Sequence, residues 1–101
     1  MHDGLDIVAS VGDSVYAPSD GVVSFTAELP AYGKILYIQH GYGIETRYAH
    51  LSAILVKAGQ KIHRGDKIAL VGNTGRSTGP HLHYEVVQNG RPVNPTQFIL
   101  N

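Results

Sequence analysis

The sequence contains no cysteine, which rules out disulfides and thiolate metal ligands and is compatible with an oxidising compartment. It also lacks net charge. Eight Lys and Arg balance eight Asp and Glu, and nowhere do basic residues gather with interleaved aromatics, so no nucleic-acid partner is expected. No apolar run approaches the roughly 20 residues that span a bilayer. The N-terminus has neither the basic start nor the apolar stretch of a signal peptide, and no membrane contact is expected within these residues. Also missing is the HExxH motif, in which a glutamate beside the first ligand serves as general base.

At 101 residues the chain is expected to form one domain, 1–101, around one core. Because Met1 stands directly against the candidate ligand His2, the chain is expected to be a piece of a longer protein, without that protein's export signal and upstream residues. Glycine occurs 12 times and proline five times, and apolar residues come in short runs rather than at helical spacing, so the fold class is all-β. The expected strands are Leu5 to Ala9, Ser14 to Ala17, Gly21 to Leu29, Lys34 to His40, Ile44 to His50, Lys67 to Val71 and His81 to Gln88. Seven short strands imply a two-sheet sandwich or a folded-over sheet. The run Lys34 to Gln39 carries apolar residues on both sides, which predicts a central strand covered on both faces. One helical turn is expected at the end, Asn94 to Ile99, with Asn94 as cap, Pro95 in the first helical position and Phe98 and Ile99 closing the core.

The stretches Val11 to Val23 and Ala58 to Ile68 echo one another. Each reads as a tight turn, a short strand, a second turn and a further strand, the hammerhead-like element of biotinyl and lipoyl carrier domains. No lysine stands at a hairpin tip where a swinging cofactor would be attached, so a carrier role is excluded on chemistry.

The chemistry-bearing residues lie at the two ends and in the middle. His81 and His83, two apart on a strand, present both imidazoles on one face. His2 and Asp6 add one more nitrogen and one oxygen, so with one histidine of the later pair they make two imidazoles and a carboxylate. Zinc in hydrolytic sites is commonly held by three such ligands, with the fourth position left to water. A histidine taken alone is more often a surface residue than a ligand. His40 is accordingly expected to end a strand and hydrogen-bond locally, and His63 to sit solvated in a polar turn. Tyr32 and Tyr42 lie in Gly-rich loops and are candidates for the walls of a substrate groove; Glu85 reads as a supporting residue behind the ligands.

Three segments in order, His2-Asp3-Gly4-Leu5-Asp6, Tyr48-Ala49-His50-Leu51 and Gly75-Arg76-Ser77-Thr78-Gly79-Pro80-His81-Leu82-His83-Tyr84-Glu85, resemble the signatures of the lysostaphin-type zinc metalloendopeptidases, the LytM or M23 domains. The likeness extends over nearly the whole chain. It implies one Zn²⁺ bound by His2, Asp6 and His83, with His50 and His81 as catalytic residues sharing the proton work; which of the two is general base stays open. It further implies hydrolysis of stem or cross-bridge peptides of bacterial peptidoglycan, and a cell-envelope location, periplasmic or extracellular. In relatives, residues before the first motif add a strand and groove-lining side chains, which are not in these 101 residues. Two rivals follow. One is a non-catalytic or latent module that regulates cell-wall amidases by contact, or is held by an inhibitory segment. The other is a glucose-type phosphocarrier, which needs no aspartate ligand and is disfavoured by the His2 and Asp6 pair.

Overall fold

The computed structural model describes residues 5–73 and 81–94, with the backbone only for Leu5 and Asp6. Nine strands follow in order: β1 Leu5–Val8, β2 Ser14–Tyr16, β3 Gly21–Leu29, β4 Gly33–Gly41, β5 Ile44–Ile54, β6 Lys61–Ile62, β7 Lys67–Val71, β8 His81–Gln88 and β9 Arg91–Val93. Among the described residues there is no helix. Every pairing is antiparallel. The main path runs β1-β8-β5-β4-β3-β6, while β7 joins β2 to β5 and β9 extends β8.

The all-β expectation holds, as does the central place of β4, which lies between β3 and β5 with Ile35, Leu36 and Ile38 all buried. The folding-over of the sheet happens on β5. Its first part, Ile44 to Ala49, pairs with β8, and its last part, Leu51 to Ile54, pairs with β7. One strand thus belongs to two layers, and the fully buried Val23, Leu36, Ile38, Leu51, Ile68 and Val86 fill the space between them. Two short strands were not legible in the sequence: β6 has only two residues, too few for alternation, and β9 carries Pro92, which suits an edge strand paired on one side. The C-terminal turn expected over Asn94 to Ile99 lies, from Pro95 onward, outside the described residues.

The two echoing stretches are built on one turn used three times. Asp13 donates its backbone N–H to the Ser10 carbonyl, Gln60 to that of Lys57 and Asp66 to that of His63, each at 3.0 Å. In return the side-chain oxygens of Asp13, Gln60 and Asp66 accept the N–H of Ser10, Lys57 and His63 at 2.9, 3.1 and 2.8 Å. The third residue is always glycine, Gly12, Gly59 or Gly65, with φ between 88° and 92°, the left-handed backbone that this kind of turn demands. The echoes also clasp each other. Ala17 bonds Asp66, Gly65 bonds Ala17, Val23 bonds Gln60 and Gly59 bonds Val23, all backbone to backbone at 2.7 to 2.9 Å.

Candidate metal centre

Strand β8 alternates as its sequence requires. Leu82, Tyr84 and Val86 are buried in the core, and His81, His83 and Glu85 stand half-buried on the opposite face. On one side of β8 the backbone of β1 places Asp6 directly across from His83. On the other side β5 places Ala49 across from His83 and Arg47 across from Glu85. The first and last motifs are therefore brought together by a single strand pairing.

His50 reaches the same place by a different route. Strict alternation along Thr46, Tyr48 and His50 would turn its ring toward the core, where the Tyr48 ring packs against Tyr84 with centroids 5.5 Å apart. Instead His50 has φ 61°. Three steps of β5, Tyr48 to Leu51, face only two of β4, Leu36 to Lys34, so β5 carries one extra residue, and such a bulge re-aims a side chain. Its consequence is visible in the rings: His50 lies 5.4 Å from His81 and 6.4 Å from His83, centroid to centroid. The His50 N–H is satisfied by the Tyr32 carbonyl at 2.8 Å, and the residue is 8% exposed. A non-glycine residue in left-handed backbone at a bulge is strain that the surrounding structure holds in place, and such strain gathers at functional sites. The sequence reading had His50 ending its strand; β5 in fact continues to Ile54, because the bulge turns the chain without stopping it.

His83 Nε2 lies 2.9 Å from Glu85 Oε2. Beyond Glu85 stands Arg47, whose Nε donates to Glu45 Oε1 at 2.8 Å and whose guanidinium lies 4.5 Å from the centre of the Tyr37 ring. Burial opposes the Arg47 charge, but the hydrogen bond to Glu45 and the neighbouring Tyr37, Glu45 and Glu85 outweigh it and raise its pKa. Tyr37, Arg47 and Glu85, with Tyr32, line a cavity of about 330 Å³ beside His83. A larger one of about 510 Å³, bordered by Ile7, Val15, Tyr16 and Tyr84, lies on the core side of β8, away from the three histidines.

The predicted site residues thus divide. His50, His81 and His83 converge, Asp6 is placed opposite His83 by its backbone, and Tyr32 borders the adjoining cavity. Tyr42 does not join them. It is 96% exposed at the tip of the β4–β5 hairpin, and His50 lies six residues beyond Ile44, about 20 Å along the strand. His2, the Asp6 side chain and the lead-in segment 75–80 lie outside the described residues, so among the described residues no three donors meet. The other histidines stand as expected: His40 is bound to the Asp20 carbonyl at 2.9 Å and Thr46 Oγ1 at 2.7 Å, and the His63 side chain is largely exposed. Arg47 and Glu45 were not anticipated, although their spacing, with Ala49, already put them on one face of a strand leading to His50.

The sequence profile of peptidase family M23 matches residues 1–95. The chain belongs to that family. Among its M23 relatives, the peptidoglycan DD-endopeptidase ShyA of Vibrio cholerae is 56% identical over 93 residues, 92% of this chain and 22% of the relative. A zinc-containing peptidase from Vibrio cholerae superposes with a TM-score of 0.89 at 50% identity, covering 91% of this chain and 28% of that one. The catalytic domain of lysostaphin from Staphylococcus simulans superposes at 0.90 with 31% identity, over 98% of this chain and 79% of that one. The M23 chain described here spans about a fifth of the length of the curated relatives it matches.

Proposed function

We propose that this M23 domain is a zinc-dependent endopeptidase that cleaves the stem or cross-bridge peptides of bacterial peptidoglycan in the cell envelope. The observation that carries the reading is the bulge on β5: a strained backbone turns His50 out of the core and onto the face that holds His81 and His83, with Asp6 across from His83. A structural histidine needs no such device. The names of the relatives, a peptidoglycan DD-endopeptidase and a zinc-containing peptidase, support the substrate class and the metal.

The donor set fits zinc. Two imidazoles, of His2 and His83, and the Asp6 carboxylate are the nitrogen and oxygen ligands of hydrolytic zinc sites, which keep a fourth position open. When bound, zinc acts as a Lewis acid and makes water acidic enough to attack near neutral pH. The remaining chemistry falls to His50 and His81. Their rings are close enough to address the two sides of one peptide carbonyl. One accepts the proton of the attacking water and returns it to the leaving amine, and the other donates a hydrogen bond to the developing oxyanion. The cavity beside His83 takes one flank of the peptide, with Tyr32 and Tyr37 as apolar walls.

The test is digestion of purified cross-linked muropeptides by the zinc-loaded chain, read by mass spectrometry. Cross-linked dimers should fall to monomers, and His50→Ala or His81→Ala should slow this by roughly 10² to 10⁴ with zinc still bound at one per chain. Loss of zinc from His81→Ala would make His81 a ligand and overturn the division of labour. Intact dimers in the presence of the fully zinc-loaded chain would overturn the enzyme reading in favour of a module that regulates wall amidases by contact.

A further inference from the structure

We propose that Glu85 is a positioning residue for His83: its carboxylate fixes the imidazole in the tautomer that leaves Nδ1 to face the cation. The inference rests on the metallopeptidase reading above and assigns which atom of this chain does the binding. It begins with alternation on β8. His83 and Glu85 are two residues apart on the face away from the core, and Nε2 meets Oε2 at 2.9 Å, with both side chains largely shielded from solvent at 26% and 21% exposure. An ionised carboxylate only accepts hydrogen bonds, so the proton of that bond belongs to Nε2. In the neutral ring the lone pair is then on Nδ1, and a divalent cation binds the nitrogen that carries the lone pair.

The carboxylate also has a cation in its neighbourhood. Arg47 stands directly across the β5–β8 pair from Glu85, and Glu85 is one of the charges that raise the Arg47 pKa. Arg47 is pinned in turn by Glu45 and by the Tyr37 ring. A fixed positive charge thus stands across the strand pair from the carboxylate whose Oε2 takes the His83 proton. Carboxylate–imidazole pairs of this kind behind a metal set the ring's orientation and basicity, and their loss typically costs 10- to 100-fold in metal affinity.

The experiment has two readouts. In the zinc-free chain with ¹⁵N-labelled histidine, long-range proton–nitrogen spectra report the tautomer of His83. The expected form is protonated at Nε2, and an Nδ1-protonated ring would overturn the proposal. Zinc affinity is then measured by competition with a chromophoric chelator. Glu85→Ala should bind zinc about 10- to 100-fold more weakly, and Glu85→Gln, which keeps an acceptor oxygen, should recover most of that loss together with the Nε2–H tautomer. Wild-type affinity in Glu85→Ala, or no recovery in Glu85→Gln, would overturn it. Should circular dichroism show that Glu85→Ala does not fold, the wild-type tautomer and the Glu85→Gln affinity decide. A wild-type chain that takes up no zinc would sink the metallopeptidase reading, whereas the tautomer is read without metal and judges Glu85 separately.

Discussion

Gly72 is remote from the histidines in sequence, yet a single methyl group there should disable the site. It lies just after β7, where the backbone passes against β5. A Cβ built on Gly72 would stand 2.7 Å from both the Leu51 carbonyl carbon and Ser52 Cα, and closer still to the Ser52 nitrogen. Non-bonded carbons rest at about 3.5–4.0 Å, so the two segments must part by roughly 1 Å, and all three atoms are backbone, with no flexible side chain to yield. Overpacking of this kind costs about 1–3 kcal/mol and occasionally more. At the upper value, with about 4–8 °C per kcal/mol for a domain of this size, Gly72→Ala should lower the melting temperature by about 12–24 °C. The displaced atoms directly follow His50, and Ser52 also ties β5 to β7 through its hydroxyl, which donates to the Val71 carbonyl at 2.9 Å. A reactive group misplaced by about 1 Å can cost 10²-fold in rate, so turnover at a temperature where the variant is folded should fall by about that factor. Differential scanning calorimetry and the muropeptide assay measure the two effects. A variant within roughly 2 °C of wild type and with full turnover would show that β5 and β7 do not meet here as described.

Two tyrosines that pack together should respond oppositely to loss of the hydroxyl. The Tyr84 hydroxyl is buried and has no hydrogen-bond partner among the described residues, so Tyr84→Phe should stabilise by about 1 kcal/mol. Tyr48 donates to Thr46 Oγ1 at 2.9 Å, and Tyr48→Phe should cost about 1 kcal/mol; urea unfolding that moves both the same way would refute the contrast. Burial also pushes the Tyr84 pKa up to about 12, and burial, together with the Tyr84 charge, outweighs the hydrogen bond to Thr46 to raise that of Tyr48 as well. The native state therefore binds more protons than the unfolded chain above pH 10. The contribution of Tyr84 is whole below pH 10 and lost between about pH 10 and 12, at up to about 1.4 kcal/mol per pH unit. Tyr84→Phe should flatten the alkaline decline of stability by that slope, and an unchanged profile would contradict it.

Much of this could be read in the chain before its shape was known, and what could not has a physical reason. The edges of β3, β7 and β8 agree with the sequence because Gly, Pro and polar turn residues bound each run, and in β8 period-2 alternation adds to the signal. The turn used three times was visible as an echo because glycine at one position and an acceptor side chain at the next are both obligatory. The place of His50 was not legible in its own strand. Alternation alone sends it into the core, since a bulge is decided by how β5 must serve both β8 and β7, a demand made by partners far away in sequence. Tyr42 lies apart from the histidine cluster, which its loop did not reveal either. Glycines flank both tyrosine loops, but only Tyr32 lies at the end of the strands where β5 changes partners.

The clasp between the two echoing stretches means that neither can complete its own backbone bonding; each is finished by its counterpart on the far side of the β4–β5 hairpin. That hairpin ends in the exposed Gly41-Tyr42-Gly43 tip, away from His50, His81 and His83. A nick there would leave two pieces with unfinished edges shaped for one another. His2 and Asp6 would travel with one piece and His50, His81 and His83 with the other, so reunion of the halves would also be what brings the proposed zinc ligands back together.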